Sequence, residues 1–462
     1  MASSQSIRIQ DLRASFGGKL TEPTDPDYDS ARAVWNGSID GRPAAVASCA
    51  SAADVAAAIR FARANGLEIA VRGGGHSYPG FGTCDGGLVI DLGSMKRIEV
   101  DPEARTARVE PGATWADLDA ATHAHGLATT GGLISSTGVA GLTLGGGIGW
   151  LMRAHGLACD NLLSATMVTA DGKTVEARAD HNPELLWGLR GGGGNFGVVT
   201  EFVFHLHPVS TVLGGLIAFT ADRAGEVLRA YRDLVKGLPD EITTLWAYTS
   251  APPAPFVPAE LQLKRVAAVA LCHLGNADAG QALLQPLRDL KPAFEMVAPM
   301  PYPALQSMLD GGAPRGIQNY FKGSYLSGLS DAAVDEIVMH CEKMASPLSQ
   351  AHLHHLGGAV ARVGEDATAV GSRDAQFILN SLAAWFDPGQ TSLHTSLVRG
   401  FQDGMKPYGT GHTYVNFLSE TTDADVRSAY EERKYSRLSA LKRTYDPDNV
   451  FHLNQNIKPT PA

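Results

Sequence analysis

An α+β protein of two domains is the fold class that this chain predicts, on three observations. It has 462 residues, more than one compact core usually organises. Strand-like and helix-like runs alternate through the first two hundred residues, broken by three glycine clusters. Near Pro208 the character changes: amphipathic helix patterns and longer strands follow, without glycine clusters.

The elements follow in order. "AAVASCA" reads as a strand, and "SAADVAAAIRFARANG" as a helix with Ser51 as its N-cap and Gly66 as its stop. "LEIAVRGGG" returns as a strand that breaks into the first glycine loop, "VRGGGHSYPGFG". "GGLVIDLGSM", "KRIEVDPEARTARVEPGA" and "TWADLDAATHAHG" read as strand, hairpin and helix. The second glycine region, "GLISSTGVAGLTLGGGIGWL", covers 132–151, and the third, "LRGGGGNFGVVTEFVFHLHPV", covers 189–209 and runs out as a strand. Beyond it, "DRAGEVLRAYRDLVKGL" and "AVDEIVMHCEKMA" are helices, and "RVAAVALCHLG" and "LHHLGGAVARV" strands. "APPAPFVPAE" reads as a surface loop. "DADVRSAYEERKYSRLSALKRTY" closes the pattern as a helix before the tail "DPDNVFHLNQNIKP".

Composition narrows the function. Hydrophobic residues make up 44% and charged residues 19%, a soluble globular balance. A formal charge of −10 argues against nucleic-acid or anionic-membrane partners, which need clustered Lys and Arg. No apolar run is long enough to span a bilayer, and the first residues carry no secretory pattern. Five scattered cysteines without a CxxC pair give neither a disulfide framework nor a zinc ribbon, so a cytoplasmic location is expected. "HLHH" at His352, His354 and His355 lacks a supporting carboxylate or cysteine, so a packed or substrate-facing strand is expected and no metal. His123 and His125 read as a solvated helix end.

Gly192, Gly194 and Gly197 satisfy G-x-G-x-x-G, but β-branched, apolar "VVTEFVFHLH" follows where a dinucleotide fold needs a helix. No P-loop sequence exists, and "GHSYPG" misses the hydrolase elbow. Glycine loops without that helix point to a large phosphorylated ligand wrapped by backbone N–H groups. His76, inside the first loop, needs a separate explanation.

Together "VRGGGHSYPGFG", "GGLISSTGVAGLTLGGGIGWLMRAHGLACDNL", "LRGGGGNFGVVTEF" and "YDPDNVFHLNQNI" resemble, in order, the motifs of the berberine bridge enzyme-like flavin oxidoreductases, within the vanillyl alcohol oxidase fold group. The resemblance runs from about residue 25 to 458. It implies a first FAD-binding part at 1–208, an antiparallel-sheet substrate domain at 209–408, and a segment at 409–462 that returns to the FAD domain. It implies FAD bound covalently, from His76 to the flavin 8α carbon and from Cys159 of "GLACDN" to C6. Imidazole and thiolate are nucleophilic enough near neutral pH for such bonds. By the same motifs Arg72, Gly73, Gly74, Gly75, His76 and Ser77 wrap the pyrophosphate, and Thr137, Gly138, Gly141 and Leu142 run beneath flavin and diphosphate. Asn161 follows the cysteine, Val199 serves the adenine, and Asn454 and Asn456 close the site.

The implied activity is hydride removal from a hydroxyl-bearing carbon of a sugar, oligosaccharide or natural-product alcohol. Molecular oxygen is the expected acceptor, with small Ala140 and Gly141 leaving access, and hydrogen peroxide the product. The alternatives are an oxidative cyclase or C–C bond former on an aromatic or polyketide scaffold, and a redox-neutral flavoprotein. The family's Y-x-N-Y motif reads "YVNF" here, so Phe417 stands where a catalytic tyrosine is expected, and the place of a family glutamate falls near Arg362. The candidate bases are therefore Tyr414, Tyr320 and His354, with Tyr325, Lys322 and His352 behind them.

Overall fold

Ser51 accepts a hydrogen bond from the Asp54 amide and starts the helix Ala52–Ala64. Gly66, at φ +62°, ends it in the left-handed region that costs glycine little. The computed structural model, which describes residues 9–461, packs this helix on a four-stranded sheet. Its order is Lys19–Thr21, Ala45–Ser48, Leu88–Asp91, Ile69–Arg72. Ala45–Ser48 and Ile69–Arg72 both run parallel to Leu88–Asp91, which the long connections through the helix and the first glycine loop permit.

A five-stranded antiparallel sheet lies beside it, in the order Ile98–Asp101, Thr106–Val109, Val198–His205, Leu162–Val168, Thr174–Arg178. The expected hairpin supplies its first two strands. The third glycine region runs directly into its central strand, so no helix opens there. The helix Trp115–His123 begins with a reciprocal Thr114–Asp117 capping box.

Seven antiparallel strands form the second large sheet. Their order is Phe294–Pro301, Thr211–Thr220, Arg265–His273, Ile242–Ser250, Gln350–His355, Phe377–Trp385, Gln318–Leu326. Alternate residues decide its two faces. Phe219, Trp246, Tyr248, Val269 and Leu271 pack under the helices Ala224–Val235, Asp331–Glu342 and Thr391–Met405. Their strand neighbours face the first part of the chain. The expected strand over "LHHLGGAVARV" stops at His355, because Gly357 and Gly358 take φ +83° and +55° and a short helix, Ala359–Arg362, follows.

The helix Asp423–Tyr445 spans the segment expected, kinked at Glu431. Its Leu438 and Leu441, with Ile457 of the tail, join the core beneath the five-stranded sheet. Buried Lys442 pairs with Asp446 at 2.7 Å and donates to the carbonyls of Asn195 and Phe451. That fully hydrogen-bonded ammonium ties the tail to the third glycine region. Among the described residues no helix is long and apolar enough to cross a membrane.

Candidate active site

The three glycine regions and the tail converge on one wall of a cavity of about 830 Å³, and the seven-stranded sheet forms the opposite wall. The loops can meet there because they lack side chains. A Cβ on Gly74 would lie 2.5 Å from the Gly138 amide, and one on Gly138 would lie 2.5 Å from the Gly74 amide. At Gly141 and Gly194 the opposite holds: both line the cavity, and a Cβ there would meet nothing within 4 Å. The wall is thus close-packed behind and open in front.

Of the expected cofactor contacts, Arg72, Gly73, Gly74, Gly75, His76, Ser77, Thr137, Gly138, Gly141, Leu142, Val199 and Asn454 all line this cavity. Arg72 is braced from behind, its guanidinium donating to Asp91 and to the Ala31 carbonyl. The His76 ring stacks on Trp35 at 5.1 Å and lies 3.4 Å from the hydroxyls of Ser136 and Thr137. Burial, with help from the Arg315 charge, lowers its pKa to about 4. The imidazole is therefore neutral near pH 7, with a lone pair free for a nucleophile's work. Asn454 Oδ1 is buried without a partner, as is Asn456 Oδ1 just behind the lining. Open glycine faces, an orphaned amide oxygen and a neutral histidine fit a long, phosphate-bearing flavin nucleotide.

Cys159 does not join them. It is fully buried among Ile148, Met152, Leu157, Tyr325 and Tyr414, outside the cavity lining. Burial raises its thiol pKa, and neighbouring Asp160 adds to the rise, so the thiolate is suppressed. In this structure the thiol lies behind the cavity wall. Among the described residues no cysteine lines the cavity. Asn161 also points elsewhere: its amide donates to the carbonyls of His155 and Leu157 and its oxygen meets His207 at 2.7 Å. The motif "GLACDN" is a structural turn, pinned by a buried bidentate pair between Arg373 and Asp160.

The candidate bases divide in the same way. Tyr320 faces away from the cavity, packs on Trp385 and Val398, and receives a hydrogen bond from Arg399. Tyr325 packs beside Cys159, and Lys322 pairs with Glu420 at 2.9 Å; neither lines the cavity. Tyr414 and His354 do line it. The Tyr414 oxygen accepts from the amides of Gly147 at 2.7 Å and Ile148 at 3.3 Å, and from Asn416 Nδ2 at 3.0 Å. Burial raises its pKa and these donors pull it back, to about 12. At neutral pH it keeps its proton and acts as a donor.

His354, only 2% exposed, is held well below the usual histidine range by burial, and its Nε2 has no partner. His352 shares its strand face, lowered to about 4 by burial, with Nε2 2.8 Å from Gln350 Oε1. His355 points to the other face, against Arg153 at 3.2 Å. One residue was missed by sequence reasoning. Asn380 lies opposite His352 on the next strand, lines the cavity, and leaves its Oδ1 unpartnered. Phe417 stands between the polar groups, its ring 5.1 Å from Tyr414 and 5.6 Å from His354. An alternating strand does not announce which face meets a ligand, so Asn380 carried no signal of its own.

Comparison with known proteins agrees with this geometry. A family model described as an FAD binding domain matches residues 43–178, and one described as berberine and berberine like matches 413–458. The (R)-6-hydroxynicotine oxidase of Paenarthrobacter nicotinovorans is 33% identical over 96% of this chain and 97% of its own length. The crystal structure of 6-hydroxy-D-nicotine oxidase from Arthrobacter nicotinovorans superposes with a TM-score of 0.87 at 31% identity, covering 96% of this chain and 99% of that one. Glucooligosaccharide oxidase from Acremonium strictum, whose FAD is 6-S-cysteinyl and 8α-N1-histidyl, shares the fold at a TM-score of 0.87 but only 24% identity, over 98% of this chain and 99% of that one. Family models, identity over nearly the whole length and fold together give one answer: the chain belongs to the berberine bridge enzyme-like FAD-linked oxidoreductases, a family of FAD-dependent oxidases.

Proposed function

We propose that the protein oxidises a hydroxyl-bearing carbon of an uncharged, largely apolar small molecule, with FAD attached through His76 alone and oxygen as electron acceptor, releasing hydrogen peroxide. The observation that carries this reading is the cavity's chemistry. Arg72, braced on the cofactor side, is its one charged lining residue; no carboxylate or lysine lines it among the described residues. The substrate side is made mostly of leucines, alanines, methionines and prolines, with polar groups at Gln350, His352, His354, Asn380 and Tyr414 and at the strand end Thr249 and Ser250. A sugar would leave most of its hydroxyls facing apolar walls, at about 1–3 kcal/mol for each one unpartnered. A natural-product alcohol with one polar end would not.

Bound FAD supplies the hydride acceptor. The chain's residues supply the rest. Tyr414 donates a hydrogen bond from its three-donor nest, and Asn380 Oδ1 accepts one. The neutral His354 Nε2 accepts the hydroxyl proton as the carbon gives up its hydride. Phe417 fills the space between them and excludes water. An amine substrate, the type named for the nicotine oxidase relative, would enter uncharged, because no carboxylate is present to pair with its cation.

The test is a peroxide assay over neutral aryl and alkyl alcohols beside a panel of oligosaccharides, together with intact mass after acid unfolding. Peroxide from the alcohols, with one FAD retained on the His76 peptide, is expected. Peroxide from oligosaccharides alone would overturn the substrate reading, and FAD on a cysteine peptide would overturn the single link.

A further inference from the structure

The sheet face opposite the glycine loops carries an unusual paving. Strands favour β-branched and aromatic side chains and disfavour alanine. On the helix-covered face these same strands obey, with Phe219, Trp246, Tyr248, Val269 and Leu271. On the cavity face they carry Ala247, Ala268 and Ala270 instead. Ala247 and Ala268 are cross-strand partners, and Ala270 is partnered by Leu245 on one side and Leu216 on the other. Where three neighbouring positions project one carbon each, the face is a shallow floor, bounded by the longer Leu216, Leu245 and Met296.

Register gives the floor a direction. His352, Ala247 and Ala268 form one row of successive partners across three strands, and Ala270 lies two residues along the last of them. The row begins beside the unpartnered imidazole of His354, two residues from His352 on the same strand face, and runs into apolar surface. From His352 to Ala268 is two strand spacings, about 10 Å. The far end opens beneath the loop after Ser250, whose Phe256 and Leu263 also line the cavity and are 38% and 66% exposed. "APPAPFVPAE", expected to be a plain surface loop, is thus part of the cavity rim.

We infer that this alanine floor is a subsite for a flat, uncharged fused-ring scaffold, lying across the strands with its oxidisable carbinol at His354. The inference rests on the proposed function and narrows its substrate. Flatness follows from the three alanines, length from the row, and neutrality from the absence of charge. An oligosaccharide is uncharged and long enough, but it is not flat, and its hydroxyls would face alanines. Fused rings fit all three, since each added ring buries more apolar surface against the floor without adding a polar group.

Tertiary carbinols of phenyl, naphthyl and pyrenyl groups have the hydroxyl but no carbinol hydrogen, so they bind without turnover. Equilibrium dialysis of the FAD-loaded protein with this series should show affinity rising at least tenfold from one ring to four. Ala270→Leu, which raises the floor, should cut that gain below threefold while FAD stays bound; Ala268→Leu repeats the test should the first variant fold poorly. The series on the unaltered protein stands by itself. Ring-independent affinity, with peroxide still released from primary aryl carbinols, overturns the floor and leaves the proposed function. Graded affinity lost in the leucine variants, with no peroxide from any primary carbinol, supports the floor and removes the proposed function.

Discussion

The two walls of the active-site cavity are built on opposite plans. One is made of backbone: glycines at 73–75, 138, 141 and 193–194 present amides and open space. The other is made of side chains from alternate positions of a twisted sheet, where Leu245, Ala270, His354 and Asn380 present surface chosen for shape. A backbone wall tolerates almost no substitution, because its geometry depends on the missing Cβ. A side-chain wall can be repaved residue by residue while the sheet's hydrogen bonds persist. One family can therefore hold its cofactor constant and vary its substrate.

The backbone wall should break most completely. Gly74→Val would drive a branched side chain into Gly138, whose amide already lies 2.5 Å from the position of a Cβ. Neither loop can retreat, because Gly73 is backed by the Pro111 carbonyl at 2.9 Å from its own Cβ position. Protein carrying this change should retain no FAD, read as the loss of visible flavin absorbance after purification.

On the side-chain wall the largest expected effect is at His354. His354→Leu removes the imidazole that, among the described residues, is buried, unpartnered at Nε2 and on the substrate side. A loss of about 10²–10⁴ in the rate of flavin reduction is expected, the usual share of general-base help, with FAD content unchanged. A rate within threefold of the parent would assign the proton to another group. His76→Ala tests the other wall again. It should abolish acid-stable flavin in the intact mass while leaving part of the FAD bound non-covalently, since the glycine cradle is untouched.

These tests also mark what was legible in the sequence. The glycine loops were, since repeated glycine followed by "VVTEF" excludes a dinucleotide helix, and an imidazole within them is not what a backbone phosphate cradle needs. The helix cap at Ser51 was equally readable, being local chemistry. What escaped was every assignment that required knowing a facing direction. Tyr320 and His354 both looked like bases; one lies on the outer strand of the sheet and points away from the cavity, the other lies near its centre and points in. Cys159 stands in its motif but outside the cavity lining. Asn380 and the alanines were invisible because alternation marks two faces without saying which one is wet.

Acid should separate the walls by stability. His76 and His352 are lowered to about 4 by burial, and burial lowers His354 as well. Each binds its proton more readily in the unfolded chain, whose histidines titrate near 6.5. Between that value and about 4 the unfolded state holds more protons, so stability is full above pH 6.5 and falls as pH drops towards 4. Thermal unfolding between pH 7 and 4.5 should show a falling midpoint. In His352→Gln, which keeps a hydrogen-bonding side chain beside Gln350, the fall should be shallower.

The smallest expected effect is the one that most sharpens the contrast between motif and geometry. Cys159→Ala deletes a sulfur from a sealed cluster that includes Leu157, Tyr325 and Tyr414. Its hydrogen-bond contact with Asp160 is a long 3.6 Å, and Asp160 stays satisfied by Arg373, so the loss is of packing. The cost should be about 1–2 kcal/mol, a small buried group removed from a close-packed site, seen as a lower denaturation midpoint. Flavin should remain attached in full, on the His76 peptide, with an unaltered visible spectrum. Loss of an acid-stable bond in this variant would mean that Cys159 reaches the flavin after all. The turn held by Arg373 and Asp160 would then have to open in the flavin-loaded protein, bringing the thiol out from behind Ile148 and into the cavity.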